Sequence, residues 1–365
     1  MSIAPDPITQ IEPIVLRIPF DDGGKGHGIM PTRWNALDIM MLRVETASGL
    51  VGWGEGFGYL CQHVTARAVK DMITPFAMGR DSRDPAQLNR DAQLALHLFG
   101  RFGITMFAIS ALDIALWDIA AKREGLSLGR LLGGRKRDTV QTYASLVRYG
   151  TPELVGHFTG KAIRQGYTSI KLHEVEEACI AAARSAAPDA DITVDANCQI
   201  SIDKALAMAD FLKDQRIEWL EEPTFPPEGT HHWQALAARG INIAAGENVS
   251  TLEGFATLIP SLAYVQPSVT KVGGVTEFLR VADAIKASGK RMAAHSPYFG
   301  PGYWASLQLA AALDNFNLFE NLYVDQEAWC GLNPPKPVNG FIAIPDTPGL
   351  GFEPDPSVVE QYRVG

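Results

Sequence analysis

Eight short apolar segments recur between residues 140 and 321, and most of them end in a polar residue. They alternate with stretches that carry apolar residues at helical spacing, such as IDKALAMADFLKDQ and VTEFLRVADAIKASG. This alternation indicates parallel strands joined by crossover helices. Eight strands at intervals of roughly 25 residues favour a closed (β/α) barrel over an open sheet. The predicted strands are VQTYASLV, TSIKLH, ITVDAN, IEWLEE, INIAAGE, LAYVQPS, RMAAHS and FNLFEN.

Two further parts flank the predicted barrel. Before it, IEPIVLRIPF, ALDIMMLRVE and, after the turn TASGL, VGWGEGF predict an antiparallel meander. Helical patterns follow and end with GITMFAISALDIALWDIAAKREG, whose final glycine favours a helix stop. After the barrel, the chain is rich in proline and irregular. We therefore divide the chain into residues 1–125, 126–322 and 323–365, and expect the last part to fold back on the first.

Composition narrows the classes of partner. The net charge is −9 and no long block of Lys or Arg occurs, so the extended basic surface of a nucleic-acid-binding protein is absent. Small molecules are the expected partners. The four cysteines are far apart and form no C-x-x-C pair, which favours buried free thiols in a reducing compartment. They are Cys61, Cys179, Cys198 and Cys330.

Targeting signals are not evident in the sequence. The segment MSIAPDPITQIEP lacks the basic and apolar regions of a signal peptide. We expect no apolar run of this sequence to be long enough to span a bilayer. We expect a cytoplasmic protein without a membrane partner.

A barrel of this kind predicts where the polar residues of the site should occur, because its catalytic groups lie at the C-terminal ends of strands. The second to eighth predicted strands all end in a polar or charged residue. In strand order these residues are Lys171 and His173, Asp195, Glu221, Glu247, Ser268, His295 and Glu320.

Three of these residues are equally spaced acids. Asp195, Glu221 and Glu247 lie 26 residues apart. Carboxylates that converge at one end of a barrel repel each other unless a cation lies between them. Oxygen ligands without thiolates favour Mg²⁺ over zinc or copper. Each acid alone is equally compatible with a helix N-cap, but their even spacing favours a metal site.

Basic side chains flank the predicted metal site. Lys171 and His173 are two residues apart on one strand, so they project to the same face, and His295 lies on the other side of the ring. A Lys near a divalent cation is expected to have a lowered pKa, which suits proton transfer. The alternatives are a Lys that balances a carboxylate and a His buried in the core. Together with a metal, these bases suit removal of the proton α to a carboxylate.

The ordered motifs IKLH, VDAN, WLEEP, AGEN, TKVGG, AAHS and FEN resemble the enolase superfamily and, within it, the mandelate racemase subgroup. The resemblance covers nearly the whole chain. It implies an α/β fold with a modified TIM barrel, (β/α)7β, and an N-terminal α+β capping domain. Members of this superfamily use a Lys or His base with Mg²⁺.

Site roles follow from the same resemblance. Asp195, Glu221 and Glu247 would bind one Mg²⁺ per subunit, and Asn197 would contact the substrate. Lys171 would neutralise the substrate carboxylate, His295 would be the seventh-strand base, and Glu320 would hydrogen-bond the developing enediolate. Glu222 would face away from the site, because strand residues alternate between faces.

The sequence departs from the subgroup at two positions. The second strand carries Lys171-Leu172-His173 where K-x-K is common, and Ser268 occupies the sixth-strand place where many members have Asp. We expect Ser268 to orient His295, whose imidazolium should lose its proton more readily without the Asp charge. A seventh-strand His also counts against lactonizing enzymes and dipeptide epimerases, which would have a Lys on that side of the ring. Which of His173, His295 and Lys171 removes the first proton stays open.

A glycine-rich loop, DDGGKGHGIMPTRWN, carries Lys25, His27 and Arg33. In the subgroup the equivalent loop closes over the barrel mouth, and a cationic lid suits a polyhydroxy acid. A solvated loop with incidental charges is the alternative. The glycine-rich VGWGEGFGYL lacks the strand–helix setting of a phosphate-binding loop.

The predicted function is Mg²⁺-dependent dehydration of a sugar acid to a 2-keto-3-deoxy acid. Lactone cycloisomerisation and racemisation or epimerisation share its first step and are the alternatives. A catalytically silent structural barrel is the non-enzymatic alternative, against which the complete set of acids and Lys171 argues. The expected partner is a small-molecule carboxylate, with no nucleic acid or membrane, and we expect a homo-oligomer.

Overall fold

The computed structural model describes residues 4–25, 34–227 and 229–365. An antiparallel sheet with helices precedes a larger sheet of parallel strands. The strands are β1 (Ile8–Asp21), β2 (Ala36–Thr46), β3 (Val51–Gly56), β4 (Thr139–Ser145), β5 (Ser169–Leu172), β6 (Asp191–Asp195), β7 (Ile217–Glu221), β8 (Ile243–Ala245), β9 (Tyr264–Val265), β10 (Arg291–Met292), β11 (Leu318–Leu322), β12 (Asp325–Gln326) and β13 (Phe341–Ala343).

The α-helices lie between and after these strands. They are α1 (Gln62–Ala68), α2 (Thr74–Ala77), α3 (Pro85–Ala95), α4 (Ile104–Arg123), α5 (Leu128–Leu131), α6 (Pro152–Arg164), α7 (Glu177–Ala186), α8 (Ile202–Ala207), α9 (Ala209–Asp214), α10 (Thr230–Ala238), α11 (Thr251–Leu258), α12 (Val269–Val272), α13 (Gly274–Ser288), α14 (Pro301–Ala312) and α15 (Pro356–Tyr362). A π-helical turn spans Val69–Ile73, and 3₁₀ helices span His97–Phe99 and Ile259–Ser261.

The predicted meander forms the antiparallel sheet, in the order β12-β1-β2-β3. The β2–β3 hairpin turns at TASGL, where the Thr46 N–H donates to the Leu50 carbonyl at 3.0 Å. Gly49 has a φ of +82° in this turn, a conformation that glycine adopts without steric cost. With α1 to α4, this sheet forms the N-terminal α+β unit, which is called the cap below.

Two glycines in GWGEG allow α4 to pack directly on β3. A Cβ at Gly54 would lie 1.9 Å from the Ala111 carbonyl oxygen, and one at Gly52 would lie 2.2 Å from that of Ala115. Both distances are far below van der Waals contact. These glycines are therefore required for helix–strand packing in the cap.

The expectation that no segment is apolar enough to cross a membrane was wrong for one helix. Within the described ranges, α4 is long and apolar enough to cross a membrane by length and composition alone, and most of it is buried inside the protein. Its side chains belong to the cap core, including Ile109, Leu112 and Leu116. Its apolar character is that of a core helix enclosed on several sides.

The barrel confirms the predicted fold class. Its parallel strands are ordered β10-β9-β8-β7-β6-β5-β4-β11, and a bridge between Met292 and Phe316 joins the segments around the two end strands. Helices follow the first seven strands and the eighth has no helix directly after it, which is the (β/α)7β arrangement. All eight predicted strand segments form strands of this ring. The C-terminal ends of parallel strands meet at one face, so the predicted polar residues gather there.

The segment after the barrel contacts both sheets. Strand β12 pairs with β1, with Phe20 opposite Gln326, and the Val364 N–H donates to the Val15 carbonyl at 2.9 Å. Strand β13 pairs antiparallel with barrel strand β4. The C-terminal segment therefore connects the cap to the barrel.

The cysteines form no disulfide. Cys179 and Cys330 are buried as predicted, whereas Cys61 and Cys198 are partly exposed. The prediction of four buried thiols was wrong for these two, because Cys61 lies in the turn before α1 and Cys198 in the turn after β6 rather than inside a helix–sheet layer.

A buried polar cluster joins the cap to the barrel. The Asp113 carboxylate on α4 accepts hydrogen bonds from the Thr276 N–H at 2.9 Å, the Thr276 hydroxyl at 2.6 Å and the Asn89 amide at 2.9 Å. Burial raises the pKa of Asp113 to about 7. Thr276 lies in the first turn of α13, so Asp113 caps a barrel helix from the cap.

We predict that Asp113→Ala lowers the free energy of unfolding by about 2–3 kcal/mol, because three buried donors lose their acceptor. Urea unfolding would measure the change. Asp71→Ala is the control: Asp71 is exposed and its ion pair is with exposed Arg67, so about 0.5 kcal/mol or less is expected. Equal effects of the two substitutions would contradict the role assigned to Asp113.

Candidate active site

A cavity of about 440 Å³ lies at the C-terminal end of the barrel and is lined by residues of the barrel and of the cap. All predicted catalytic residues line it, together with two of the three predicted metal ligands. Barrel residues along its wall include Ser145, Lys171, His173, Asp195, Asn197, Cys198, Glu222, Glu247, Asn248, Lys271, His295, Tyr298 and Glu320. The cap contributes Trp34, Leu37, Asp38, Ile39, Glu55, Phe57, Gly58, Tyr59 and Leu60.

The three predicted metal ligands converge. One carboxylate oxygen from each of Asp195, Glu221 and Glu247 lies within 4.8 Å of the others. Burial, reinforced by the charge of Asp195, raises the pKa of Glu221 well above its usual range. Two buried carboxylates and a partly buried one at this separation repel each other unless a proton or a cation lies among them. Their donor set is the hard oxygen set that Mg²⁺ prefers, so the residues present fit this ion.

Lys171 lies among the acids rather than apart from them. Its ammonium nitrogen is 2.7 Å from Glu320 Oε1, 3.0 Å from Glu221 Oε1 and 3.4 Å from Asp195 Oδ2. Burial opposes the charged form, but the surrounding carboxylates outweigh it and raise the pKa of Lys171 well above its usual range. This direction holds for the site without a cation, because three acids face the ammonium group; the lowering expected beside a bound divalent cation stays a prediction.

His173 is oriented by the backbone. Its Nδ1 donates to the Leu146 carbonyl at 2.5 Å, since a carbonyl can only accept, and its Nε2 lies 3.3 Å from Asp195 Oδ2. In the neutral imidazole with Nδ1 protonated, Nε2 carries the lone pair that can accept a proton. The geometry therefore suits a base beside the triad.

His295 lies against a different member of the triad. Its Nε2 is 3.2 Å from Glu247 Oε2, and its Nδ1 is 3.1 Å from both the Ser268 and the Tyr298 hydroxyls. These two hydroxyls also bond to each other. Burial lowers the pKa of His295 to about 4 despite the Glu247 charge. Tyr298 did not stand out in the sequence, although its place three residues after His295 in AHSPY is a usable signal.

Glu320 is held by two donors. Oε1 accepts from the Ser145 hydroxyl at 2.9 Å and pairs with Lys171, whereas Oε2 is buried without a partner in the described chain. Although burial favours its neutral form, the Lys171 and His295 charges lower the pKa of Glu320. One oxygen of a buried carboxyl is thus left available beside the cavity.

Glu222 does not face away from the site, so that expectation was wrong. Its carboxylate lines the cavity and accepts from the Asn248 amide at 3.3 and 3.5 Å. Glu222 has a φ of +37°, so the extended backbone on which strand alternation depends has already ended. Burial, followed by the charge of Glu247, raises the pKa of Glu222 well above its usual range.

Lys271 is a second buried ammonium group that the sequence did not assign to the site. Its Nζ donates to Asn248 Oδ1 at 2.9 Å and lies 3.5 Å from Glu247 Oε1. The same nitrogen is 4.1 Å from the centre of the Phe57 ring, a cap residue. Lys271 therefore adds positive charge to the triad and connects it to the cap.

The predicted substrate-binding residues do not share one environment. The Asn197 side chain lines the cavity, and its Oδ1 is buried without a partner in the described ranges. Ser268 is buried at the His295 contact, and Lys25 is exposed. His27 and Arg33, with most of the predicted lid, lie outside the described residues.

Two family descriptions match the chain. Residues 155–358 match the description "Enolase C-terminal domain-like", and residues 29–133 match "Mandelate racemase / muconate lactonizing enzyme, N-terminal domain". The first match covers more than half of the chain and includes every predicted catalytic residue and metal ligand.

Named relatives and solved structures agree with this match. A D-galactarolactone cycloisomerase of Agrobacterium fabrum is 28% identical over 89% of this chain and 91% of its own length. A D-galactonate dehydratase of Verminephrobacter eiseniae is 30% identical over 90% of this chain and 91% of its own. The crystal structure of the 3,6-anhydro-D-galactonate cycloisomerase from Zobellia galactanivorans superposes with a TM-score of 0.87 at 28% identity, covering 98% of this chain and 100% of that chain. The chain therefore belongs to the enolase superfamily and carries the N- and C-terminal domains of its mandelate racemase and muconate lactonizing enzyme group.

Proposed function

We propose that the protein removes the proton α to the carboxylate of a sugar acid and then expels a β-hydroxyl group. The arrangement of His173 and His295 carries this proposal, since each contacts a different member of one carboxylate triad. Asp195, Glu221 and Glu247 would hold one Mg²⁺, which when bound supplies fixed positive charge for the enediolate that forms. Two bases on different sides of one centre suit a reaction that needs both a base and an acid.

Four side chains carry out the proton transfers and stabilise the charges of the substrate. In the neutral tautomer described above, His173 Nε2 accepts the α-proton. The departing hydroxyl takes a proton from protonated His295 and leaves as water; because burial lowers the pKa of His295 to about 4, this protonated form is a small and strongly acidic fraction near neutral pH. Lys171 balances the charge of the substrate carboxylate, and Glu320, when its unpartnered oxygen carries a proton, donates a hydrogen bond to the enediolate. The enol product then converts to a 2-keto-3-deoxy acid.

Cycloisomerisation is the second candidate. Two of the relatives described above are named cycloisomerases, and their reaction class shares removal of an α-proton. The two candidates differ in the group that leaves the β-carbon: a free hydroxyl leaves as water, whereas a ring oxygen stays attached to the product. Product analysis by mass separates them, because only dehydration releases a water molecule.

We predict that Glu221→Gln weakens Mg²⁺ binding by about tenfold or more and abolishes turnover, because a neutral amide replaces a charged ligand. Calorimetric titration with Mg²⁺ and a turnover assay would measure both effects. Glu222→Gln is the matched control: it is the adjacent buried carboxylate, and we expect near-unchanged metal affinity with a stability change of about 1 kcal/mol. Full activity after dialysis against EDTA would refute the metal assignment.

We predict that His173→Asn stops exchange of the α-proton into D₂O, because the initial base is lost. His295→Asn should stop product formation but leave exchange measurable, because the acid acts after proton removal. Exchange would be followed by proton NMR and product by a 2-keto-acid assay. The reverse pattern would interchange the two roles, and near wild-type turnover of both variants would make Lys171 the leading base.

A further inference from the structure

The Nδ1 edge of the His295 ring faces two hydroxyl groups. Nδ1 lies 3.1 Å from the Ser268 hydroxyl and 3.1 Å from the Tyr298 hydroxyl, and the two hydroxyls also hydrogen-bond to each other. All three residues are buried, so these contacts satisfy groups that bulk water does not reach. They form a closed hydrogen-bonded triangle, of which the proposed reaction uses the histidine alone.

The orientation of the ring determines which atoms of this triangle donate. Nε2 of His295 lies 3.2 Å from Glu247 Oε2, and an ionised carboxylate can only accept a hydrogen bond. In this arrangement the neutral imidazole carries its proton on Nε2 and presents a lone pair at Nδ1. A serine or tyrosine hydroxyl can donate to that lone pair. The same hydroxyl can accept from an Nδ1–H group once the ring carries a second proton.

Ser268 and His295 lie side by side on neighbouring strand ends. A parallel bridge joins the two residues, and the His295 N–H donates to the Pro267 carbonyl at 3.1 Å. The Ser268 hydroxyl turns about a single side-chain torsion with three staggered positions. The Tyr298 hydroxyl, at the end of a rigid ring, contacts both the Ser268 hydroxyl and Nδ1. Tyr298 is therefore the member of the triangle that fixes the other hydroxyl relative to the imidazole.

Tyr298 has little freedom of its own. It is 5% exposed, and its ring lies edge-on to the His295 ring, with centroids 5.7 Å apart and an interplanar angle of 74°. The Tyr298 N–H donates to the Ser296 carbonyl at 2.8 Å. Burial raises the pKa of the Tyr298 hydroxyl, although hydrogen bonds with Ser268 and Thr270 oppose the rise, so the group keeps its proton. It is a rigid and neutral hydrogen-bonding group.

A cap carboxylate holds the segment that follows Tyr298. Glu55 on β3 accepts through Oε2 from the Gly302 N–H at 2.7 Å, in the first turn of α14. A Cβ at Gly300 would lie 2.7 Å from the same oxygen, so a glycine there permits this close approach. The loop that carries Tyr298 is therefore held by the cap as well as by the barrel.

We propose that Tyr298 is a positioning residue, which together with Ser268 holds Nδ1 of His295 where many members of the subgroup have an Asp. This inference rests on the proposed function, which assigns proton transfer to His295. A carboxylate can only accept from Nδ1, whereas the hydroxyl pair can donate to it before the ring takes up a second proton and accept from it afterwards. Tyr298 acts through the imidazole and transfers no proton to the substrate.

The test uses the full-length Mg²⁺ enzyme and whichever of D-galactonate, D-gluconate and D-xylonate turns over. Tyr298→Phe removes the hydroxyl and keeps the ring. We expect kcat to fall by roughly tenfold and KM to stay within about twofold, because a misplaced proton donor affects the transition state more than substrate binding. Unchanged kcat in this variant would overturn the proposal.

Tyr303→Phe is the matched control. Tyr303 is also buried, and its hydroxyl donates to the Pro335 carbonyl at 2.9 Å, outside the hydroxyl triangle. Its kcat should equal that of the wild type. An equal fall of kcat in Tyr298→Phe and Tyr303→Phe would show a general effect of losing a buried hydroxyl and would overturn the positioning role.

The kinetic pattern separates positioning from a structural role. Tyr298→Phe should reproduce the pattern of His295→Asn in weaker form: product formation slows while α-proton exchange into D₂O persists. If His295 proves to be the first base, exchange should slow instead, again as in His295→Asn. A pattern unlike that of His295→Asn would overturn the proposal. Ser268→Ala removes the other hydroxyl and serves the same test if Tyr298→Phe does not fold.

A second measurement does not depend on turnover. Nitrogen NMR of the Mg²⁺ enzyme with isotope-labelled histidine reports the ring nitrogens, and His295→Asn identifies the signals of His295. Tyr298→Phe should shift the Nδ1 signal, whereas Tyr303→Phe should not. An unmoved signal in Tyr298→Phe would overturn the positioning role. A shifted signal in a protein that neither exchanges the α-proton nor turns over any of the three acids would refute the proposed reaction and support the contact.

Discussion

The crowding of carboxylates at one end of the barrel is the constraint on which the site depends. Asp195, Glu221 and Glu247 converge there, and two more acids of the barrel, Glu222 and Glu320, line the same cavity. Two buried ammonium groups, Lys171 and Lys271, compensate only part of this charge. Burial and the charge of Asp195 raise the pKa of Glu221, so the remaining negative charge calls for a proton or a divalent cation among these carboxylates.

The cap is part of the site because it contacts one of the two ammonium groups that compensate the carboxylates. Lys271 reaches Asn248 and Glu247 on one side and lies over the Phe57 ring of the cap on the other. Asp113 fixes a cap helix to the start of α13, immediately after the segment that carries Lys271. The position of this ammonium group thus depends on contacts from both units. The predicted catalytic groups lie at the strand ends of the barrel, whereas cap residues form the opposite wall of the cavity.

The barrel and the triad could be predicted because both depend on local, periodic features of the chain. Strand–helix alternation gives the ring, and equal spacing of Asp195, Glu221 and Glu247 gives their convergence. Glu222 could not be placed, because its φ of +37° breaks the alternation that the prediction assumed. The high pKa of Lys171 depends on acids from three other strands, and Trp34, Asp38 and Tyr59 converge on the site from the cap, so no single stretch of sequence reveals either arrangement.

The pairing of β1 with β12 bears on how the protein is made. The two strands meet at Phe20 and Gln326, and the Val15 carbonyl accepts from the Val364 N–H, so partners are separated by more than 300 residues. On the ribosome, β1 can pair with β2 early, but its other edge stays open until the whole barrel has been synthesised. An open strand edge is a template for wrong pairing with other chains. Completion of the cap is therefore a late step in biosynthesis, and the interval before it is when the nascent chain is most exposed to aggregation.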